Sequence, residues 1–381
     1  MVLKTWKMQM DITVSTQDLN NLINKMQNVV AQKATVPILS NVLIEADSSG
    51  LIFTATDLTV VIRCRTSGQV VQGGATTLPA KRFAQLIREL TTAQLEISSN
   101  SNEVTTIVAG TSRFKLNGMS KKEFPSLPDF SSSFSFRMKQ SDLKDMLYRT
   151  SFAVSKEDNR YSLTGVLMQI SNEVATFVGT DGKRLARAQI AIENPIPFAS
   201  QSIIPLKAVD EILKNLGDEG EVSISLMADK IAVEADQILI LTKLLAGEYP
   251  DVERVIPEQT DINIALHREE LMCLLRQVSL FIANPNHSVR FSFTPGELKL
   301  SATDMEIGEG NVAMPVNYQG PKLDIAFNPK FFLDILNHCK AEVVNLGLTD
   351  AYNPGIITDG EGSAHPLSSL FVLMPMRLPE E

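Results

Sequence analysis

Cysteine is scarce: the chain has three, Cys64, Cys273 and Cys339, spread over 381 residues. An odd number with no CxxC-type spacing speaks against a disulfide framework. The four histidines, His267, His287, His338 and His365, show no metal-ligand spacing. No apolar run approaches the ~20 residues that span a bilayer, and the opening MVLKTWKMQM lacks the apolar core of a signal peptide. These absences predict a cytoplasmic protein without membrane contact. No glycine-rich loop opens a helix and no nucleophile is paired with a base, so neither an enzyme nor a cofactor site is expected.

What is present is the composition of a globular protein, 44% hydrophobic and 21% charged, on a chain long enough for two or three domains. The net charge of −9 speaks at first against nucleic acid, since phosphate binding needs lysine and arginine on the contacting surface. Where the charges sit decides the matter, and that depends on an internal repeat.

The chain is written three times. Leu39-Ser40-Asn41-Val42-Leu43-Ile44 precedes Leu51-Ile52-Phe53-Thr54-Ala55-Thr56-Asp57. The same apolar strand, turn, strand and Thr-Asp recur from Leu163 to Asp181 and from Val289 to Asp304. The aspartates are 124 and then 123 residues apart. A second marker keeps the period: Pro79-Ala80-Lys81, Pro205-Leu206-Lys207 and Asn328-Pro329-Lys330 each open an apolar periodic segment, their lysines 126 and 123 residues apart. The three aspartates recur as turn residues, not as chemistry.

Apolar spacing predicts two helices per period, over 15–33, 79–91, 139–153, 205–216, 267–282 and 328–340. Alternating segments such as 94–98, 104–108 and 113–116 read as strands. The fold class is therefore α+β, with helices on one face of antiparallel sheets. Polar, proline-bearing joints over 120–133 and 247–259 place domains at 10–133, 134–259 and 260–378. The six helical segments hold 14 cations against nine acids, leaving −14 on the rest of the chain. Cationic helices on an anionic body suit a surface that meets DNA phosphates, although lysine and arginine also favour ordinary solvated helices. The helices lack a set of side chains for reading bases, so any contact would be independent of sequence. On these residues alone a repeat scaffold that binds proteins and never DNA stays open beside the DNA reading.

The repeats, the run Thr180-Asp181-Gly182-Lys183-Arg184-Leu185 and the tail Phe371-Val372-Leu373-Met374-Pro375-Met376-Arg377-Leu378 together resemble the bacterial sliding clamps, the β subunit of the replicative DNA polymerase III. The resemblance runs from about Met10 to Leu378 and implies initiation at Met8 or Met10. It implies three clamp domains per chain and a head-to-tail homodimer that closes as a ring around duplex DNA, helices inward. The ring confers processivity by tethering the replicative polymerase, the clamp loader and other proteins that carry a clamp-binding motif.

By matching motif, the partner cleft would comprise Leu163, Thr180, Gly182, Arg184, Leu185, Pro250, Arg254 and Val255, with Asn328, Phe331, Tyr352, Met374, Pro375, Met376, Arg377 and Leu378. Leu163, Leu185, Val255 and Met374 would wall an apolar pocket, and Arg184, Arg254 and Asn328 would orient the peptide backbone. The DNA-facing cations would be Lys33, Lys81, Arg82, Arg88, Lys144, Arg149, Lys207 and Lys214. The ring joint would use Phe114 and Leu116 on a strand and Leu280 and Phe281 at a helix end; filling their own domain's core is the competing role. Three positions depart from the family pattern: Asn286 replaces an aromatic at the cleft rim, Phe331 a tyrosine, and Glu157 an uncharged residue in a loop expected near DNA.

Overall fold

The computed structural model describes residues 8–30, 36–126, 134–171, 173–192, 199–283, 288–360 and 367–378. Six α-helices are present among them: α1 (Thr16–Met26), α2 (Ala80–Glu89), α3 (Gln140–Ser151), α4 (Leu206–Asn215), α5 (Arg268–Ser279) and α6 (Pro329–His338). All six sequence-predicted helices are found. The first is shorter than its apolar pattern: α1 ends at Met26, and Val29 stays buried from a turn in which its amide donates to the Met26 carbonyl. The β-branched pair Val29-Val30 is poorly suited to helix continuation. Two starts are capped by short side chains. Ser15 accepts from the Asp18 amide at α1, and Asn328 accepts from Lys330 and Phe331 at α6, where Pro329 fills the first turn.

The chain divides into two compact units, one of Met1–Leu143 with Lys207–Leu244, the other of Lys144–Leu206 with Leu245–Glu381. The division cuts through the middle third of the sequence.

In the first unit an eight-stranded antiparallel sheet runs in the order Phe134–Lys139, Glu221–Leu226, Lys230–Ala235, Ile238–Lys243, Val60–Thr66, Gly50–Thr56, Asn41–Asp47, Gly74–Pro79. Its middle ladder joins different thirds of the chain, with Ile240 opposite Ile62 and Leu241 opposite Val61. A second sheet holds Gln69–Gln72, Met8–Ser15, Gln94–Asn100, Val104–Ala109 and Ser112–Asn117, the last strand at its edge. Gly50–Thr56 is buried along nearly its whole length and reads as continuous apolar sequence, whereas Gln94–Asn100 is buried at alternate residues and reads as alternation.

The second unit repeats the plan. Its eight strands run Ser200–Pro205, Gly165–Ser171, Val174–Thr180, Arg184–Ala191, Ser368–Leu373, Gly355–Asp359, Val343–Leu348, Ile262–His267. Here too the central ladder joins successive thirds: Ala186 lies opposite Phe371 and Leu185 opposite Val372. A four-stranded sheet, Gly308–Pro315, Glu297–Asp304, Val289–Thr294 and Leu323–Phe327, carries Gly308–Pro315 at its edge. Phe291, Phe327 and Phe332 pack together beneath α5 and α6, with ring centroids 5.1 to 5.6 Å apart.

The Thr-Asp markers are one turn made three times. Asp57 Oδ1 accepts from the amides of Thr59 and Val60, Asp181 Oδ1 from Lys183 and Arg184, and Asp304 Oδ1 from Glu306 and Ile307. A short acceptor two or three residues ahead of a sharp turn satisfies amides that would otherwise be stranded. Leu58 and Gly182, next after the first two aspartates, both adopt positive φ, 76° and 82°.

Candidate partner-binding cleft

The expected cleft residues all fall in the second unit, on six stretches of the chain, several of which packing and backbone hydrogen bonds join. The Thr180 hydroxyl donates to the Arg184 carbonyl at 2.6 Å and accepts from the Gly182 amide at 3.0 Å, which closes the turn. Gly182 sits against Arg160, whose guanidinium donates to the Asp181 carbonyl; a Cβ on Gly182 would lie 2.5 Å from Arg160 Nη1. The tail then ties two stretches: the Met374 amide donates to the Lys183 carbonyl at 3.0 Å and the Met376 amide to Ala326 at 2.8 Å. Ala326 lies two residues before Asn328, so the tail runs from the Thr-Asp turn to the start of α6.

The side chains sort into a floor, a hub and a rim. Leu163 and Leu185 form the floor, buried with Leu167, Val178, Tyr249, Val252 and Val372 in one apolar cluster. Tyr249 donates to the Val178 carbonyl at 3.4 Å, and burial pushes its phenol above the ordinary range. Val255 and Met374 are 44% and 41% exposed. The four expected pocket walls are thus two buried residues and two exposed ones. Pro250, Arg254 and Tyr352 are also exposed; Arg254 pairs with Asp251 at 2.8 Å, and the Tyr352 amide is held by Asp350. Pro375, Met376 and Leu378 are half-buried and Arg377 exposed.

Arg184 departs most from expectation. It is 8% exposed, and each guanidinium nitrogen is engaged: Nε with Asp181 at 3.2 Å, Nη1 with Asp334 at 2.7 Å, Nη2 with the Phe152 carbonyl at 2.9 Å. Its plane stacks on Phe331 at 4.5 Å and Phe152 at 5.2 Å. Arg184 therefore braces the cleft from inside, fastening the turn to α6, and does not reach out to a ligand. Asn328 likewise uses its carbonyl oxygen on the α6 amides. Three members of this brace were missed from sequence. Asp334 and His338 look like surface residues of an amphipathic helix, and Phe152 carries no local signal. His338 stacks on Phe152 at 4.0 Å and contacts the Asp334 carbonyl at 2.6 Å, and burial holds its imidazole below the ordinary value.

Among the expected DNA-facing cations, Arg149 is a correction. It is 3% exposed and bound to Asp145 at 3.2 Å, Asp359 at 2.6 Å and the Ser369 hydroxyl at 2.7 Å, so its charge is closed off from any phosphate. Lys81, Arg82, Arg88, Lys207 and Lys214 are exposed. Lys207 pairs with Asp57, and Arg88 and Lys214 donate to Asn24. Lys144 is half-buried. Lys33 and Asn286 lie outside the described residues, while Glu157 is exposed. Within the observed helix bounds the balance is 11 cations to nine acids, because Lys33, Lys139 and Lys340 fall outside. The charge partition is weaker than the sequence suggested. At the expected joint, Phe114 and Leu116 are half-buried on an edge strand, Phe281 packs over Gly310, and Leu280 is 74% exposed.

The Arg149 cluster has a stability consequence. Removing one partner of a buried pair leaves the others uncompensated, at about 3–5 kcal/mol. Arg149→Ala should lower the second unit's stability by that order in denaturant unfolding. Burial alone would raise the Asp359 carboxyl, but Arg149 and the Ala341 and Lys340 amides hold it below its ordinary value. A depressed carboxylate stabilises the fold above its unfolded pKa and loses that contribution as pH falls through the lowered value. Arg149→Ala should therefore also flatten the acid limb of the stability profile.

Cys64, Cys273 and Cys339 are free thiols, and burial pushes Cys64 and Cys339 up to about 12. Among the described residues no cluster of His, Cys, Asp or Glu could hold a metal, and no helix is long and apolar enough to cross a membrane.

Repeat units are thus sewn into shared sheets, with a Thr-Asp turn braced by Arg184 and tied by the segment after Leu373 to the start of α6. Family comparison identifies the class. Residues 10–128, 137–251 and 253–377 match the N-terminal, central and C-terminal domains of the DNA polymerase III beta subunit. The chain is 53% identical to the beta sliding clamp of Chlamydia pneumoniae over 98% of this chain and 100% of that one, and 30% identical to that of Proteus mirabilis over 97% and 100%. A crystal structure of the Pseudomonas aeruginosa sliding clamp bound to griselimycin superposes with a TM-score of 0.90 at 29% identity, over 97% of this chain and all of that one. The Bacillus subtilis clamp superposes at 0.92 with 26% identity over the same shares. The chain belongs to the DNA polymerase III beta-subunit family, the beta sliding clamps.

Proposed function

We propose that two copies of this chain close head to tail into a ring around duplex DNA, and that the cleft tethers the replicative polymerase, the clamp loader and other motif-bearing proteins to it. The thirds 10–133, 134–259 and 260–378 are read as the repeating domains.

One observation carries the closure. Each eight-stranded sheet is sewn by the same ladder, between the strand that follows a Thr-Asp turn and the last strand of the next third's hairpin. The third such turn is followed by Gly308–Pro315, which ends its sheet, and the first third's hairpin ends on Ser112–Asn117, also an edge. Among the described residues the repeat thus leaves one open strand edge of each kind. Exposed edges invite strand addition, and two copies joined in this way satisfy both edges twice.

The register follows from the repeats. Ala109 opposite Ser112 matches Ala235 opposite Ile238, so Phe114, Lys115 and Leu116 correspond to Ile240, Leu241 and Thr242. Thr56 opposite Val61, Thr180 opposite Leu185 and Thr303 opposite Glu309 align the other strand. Lys115 should then face Glu309 of the second copy, an opposite-charge pair that contributes about 0.2–1 kcal/mol. Phe114 should face Gly310 and so meet Phe281, with Leu280 exposed beside it to be covered.

The exposed cations of α2 and α4 support contact with phosphate through a weak, salt-sensitive attraction. No catalytic step is assigned to any residue. Sedimentation should give twice the chain mass at micromolar concentration; a monomer would remove the ring.

A further inference from the structure

A cavity of about 860 Å3 lies in the first unit. The repeat explains its position. Counting back from the Thr-Asp aspartates, Leu39 and Leu43 occupy the places of Leu163 and Leu167, and Phe124-Pro125 matches Tyr249-Pro250. Leu39, Leu43 and Phe124 form a buried apolar cluster with Ile38, as their counterparts do in the cleft floor. The first unit therefore builds the same kind of apolar cluster, and Leu43, Phe124 and Pro125 form part of the lining of its groove.

Its chemistry differs. Thr54 stands where the cleft floor has Val178; it is 1% exposed, lines the groove, and its hydroxyl has no partner among the described residues. Arg63 Nε and Glu103 Oε2, also in the lining, are buried and without partners there. Native structures rarely strand such groups without a ligand or water to meet them. Of the other charges, Glu45 takes Lys121 at 2.6 Å and Arg63 at 3.9 Å, Asp47 is held by Ser49, and Lys122 is exposed to solvent. Burial raises the Glu103 carboxyl; the Thr76 hydroxyl beside it lowers it and the nearby Glu123 raises it further. Glu103 is thus the acceptor of the lining that a donor, best a cation, would satisfy.

We infer that this groove is a second docking site, taking an extended peptide of another protein that seats an apolar side chain at Leu43 and Phe124 and a basic one at Glu103. Thr54 and Arg63 then meet peptide amides. The inference stands on the first unit's own residues and does not need the ring or the cleft.

The test is fluorescence anisotropy on the full chain with three labelled, end-capped peptides: Ser-Gly-Arg-Phe-Arg-Gly-Ser, the same with glutamate for arginine, and the same with glycine for phenylalanine. The last reports the general pull of a chain with net charge −9 on any cation. The arginine–phenylalanine peptide should bind at least about tenfold tighter than either control, as expected when a charge-assisted contact and an apolar anchor act together. Glu103→Gln should remove most of that advantage. Ser126→Trp, at an exposed residue of the groove mouth, should block binding without touching the buried groups. Equal binding of the three peptides, preference for the acidic one, or binding unmoved by both variants would overturn the assignment. Circular-DNA retention by Ser126→Trp should be unchanged, which separates failure here from failure of the ring.

Discussion

Phe114→Asp with Leu116→Asp should leave the chain folded and monomeric, and a monomer should not be held on circular DNA at all. Both residues are half-buried on an edge strand, so the charges remain hydrated in the free chain. In the joined state the repeat register places them against Gly310 and Gly308, beside Phe281. Burying an unpaired charge there opposes association by several kcal/mol, and two of them should weaken the dimer by roughly a thousandfold or more. Sedimentation equilibrium measures the association, and circular dichroism checks that the sheets persist. A variant that unfolds would show that these residues serve their own core. A variant that still dimerises would move the joint elsewhere. Lys115→Glu, opposite Glu309, should act in the same direction with smaller effect, and pairing it with Glu309→Lys should restore association.

Truncation after Leu373 should abolish stimulation of the polymerase while dimerisation and ring retention persist. The cut removes the backbone bonds to Lys183 and Ala326 and the exposed Met374 side chain. It leaves the strand Ser368–Leu373 and its ladders intact. Central apolar anchors each account for about 2 kcal/mol or more of binding. Losing this wall should weaken a bound peptide by about a hundredfold, below what a tether can use. Peptide affinity and primer extension in the same preparation test the division of labour. Polymerase stimulation that survives the cut would assign binding to other residues, and loss of the dimer would show that the tail holds more than the cleft.

The repeat was legible because three turns need the same local solution, an aspartate accepting from the amides two and three residues on, and local solutions leave local marks. The six helices were legible for the same reason. What sequence could not give was pairing between thirds. The ladder of Val60–Thr66 with Ile238–Lys243 depends on a partner far along the chain, and nothing in either strand names the other. Arg149 illustrates the same limit in a side chain. With Asp145 four residues before it, it looks like a surface helix pair, and only Asp359 and Ser369, from distant strands, turn it into a buried cluster. Arg184 was identified as a cleft residue from its motif, but its bracing role depends on Asp334 and Phe152. Leu280 ran the other way: its own core was a serious competitor, and it stands exposed.

Encirclement is the central claim, and retention on closed against open DNA tests it most directly. The protein is loaded on a nicked circle by its loader, washed in moderate salt, and the circle is cut once. A ring held by topology stays through the wash, since screening weakens the phosphate contacts but not the closure, and it is lost when the cut supplies free ends. Equal retention before and after cutting, or loss in the wash alone, would contradict encirclement.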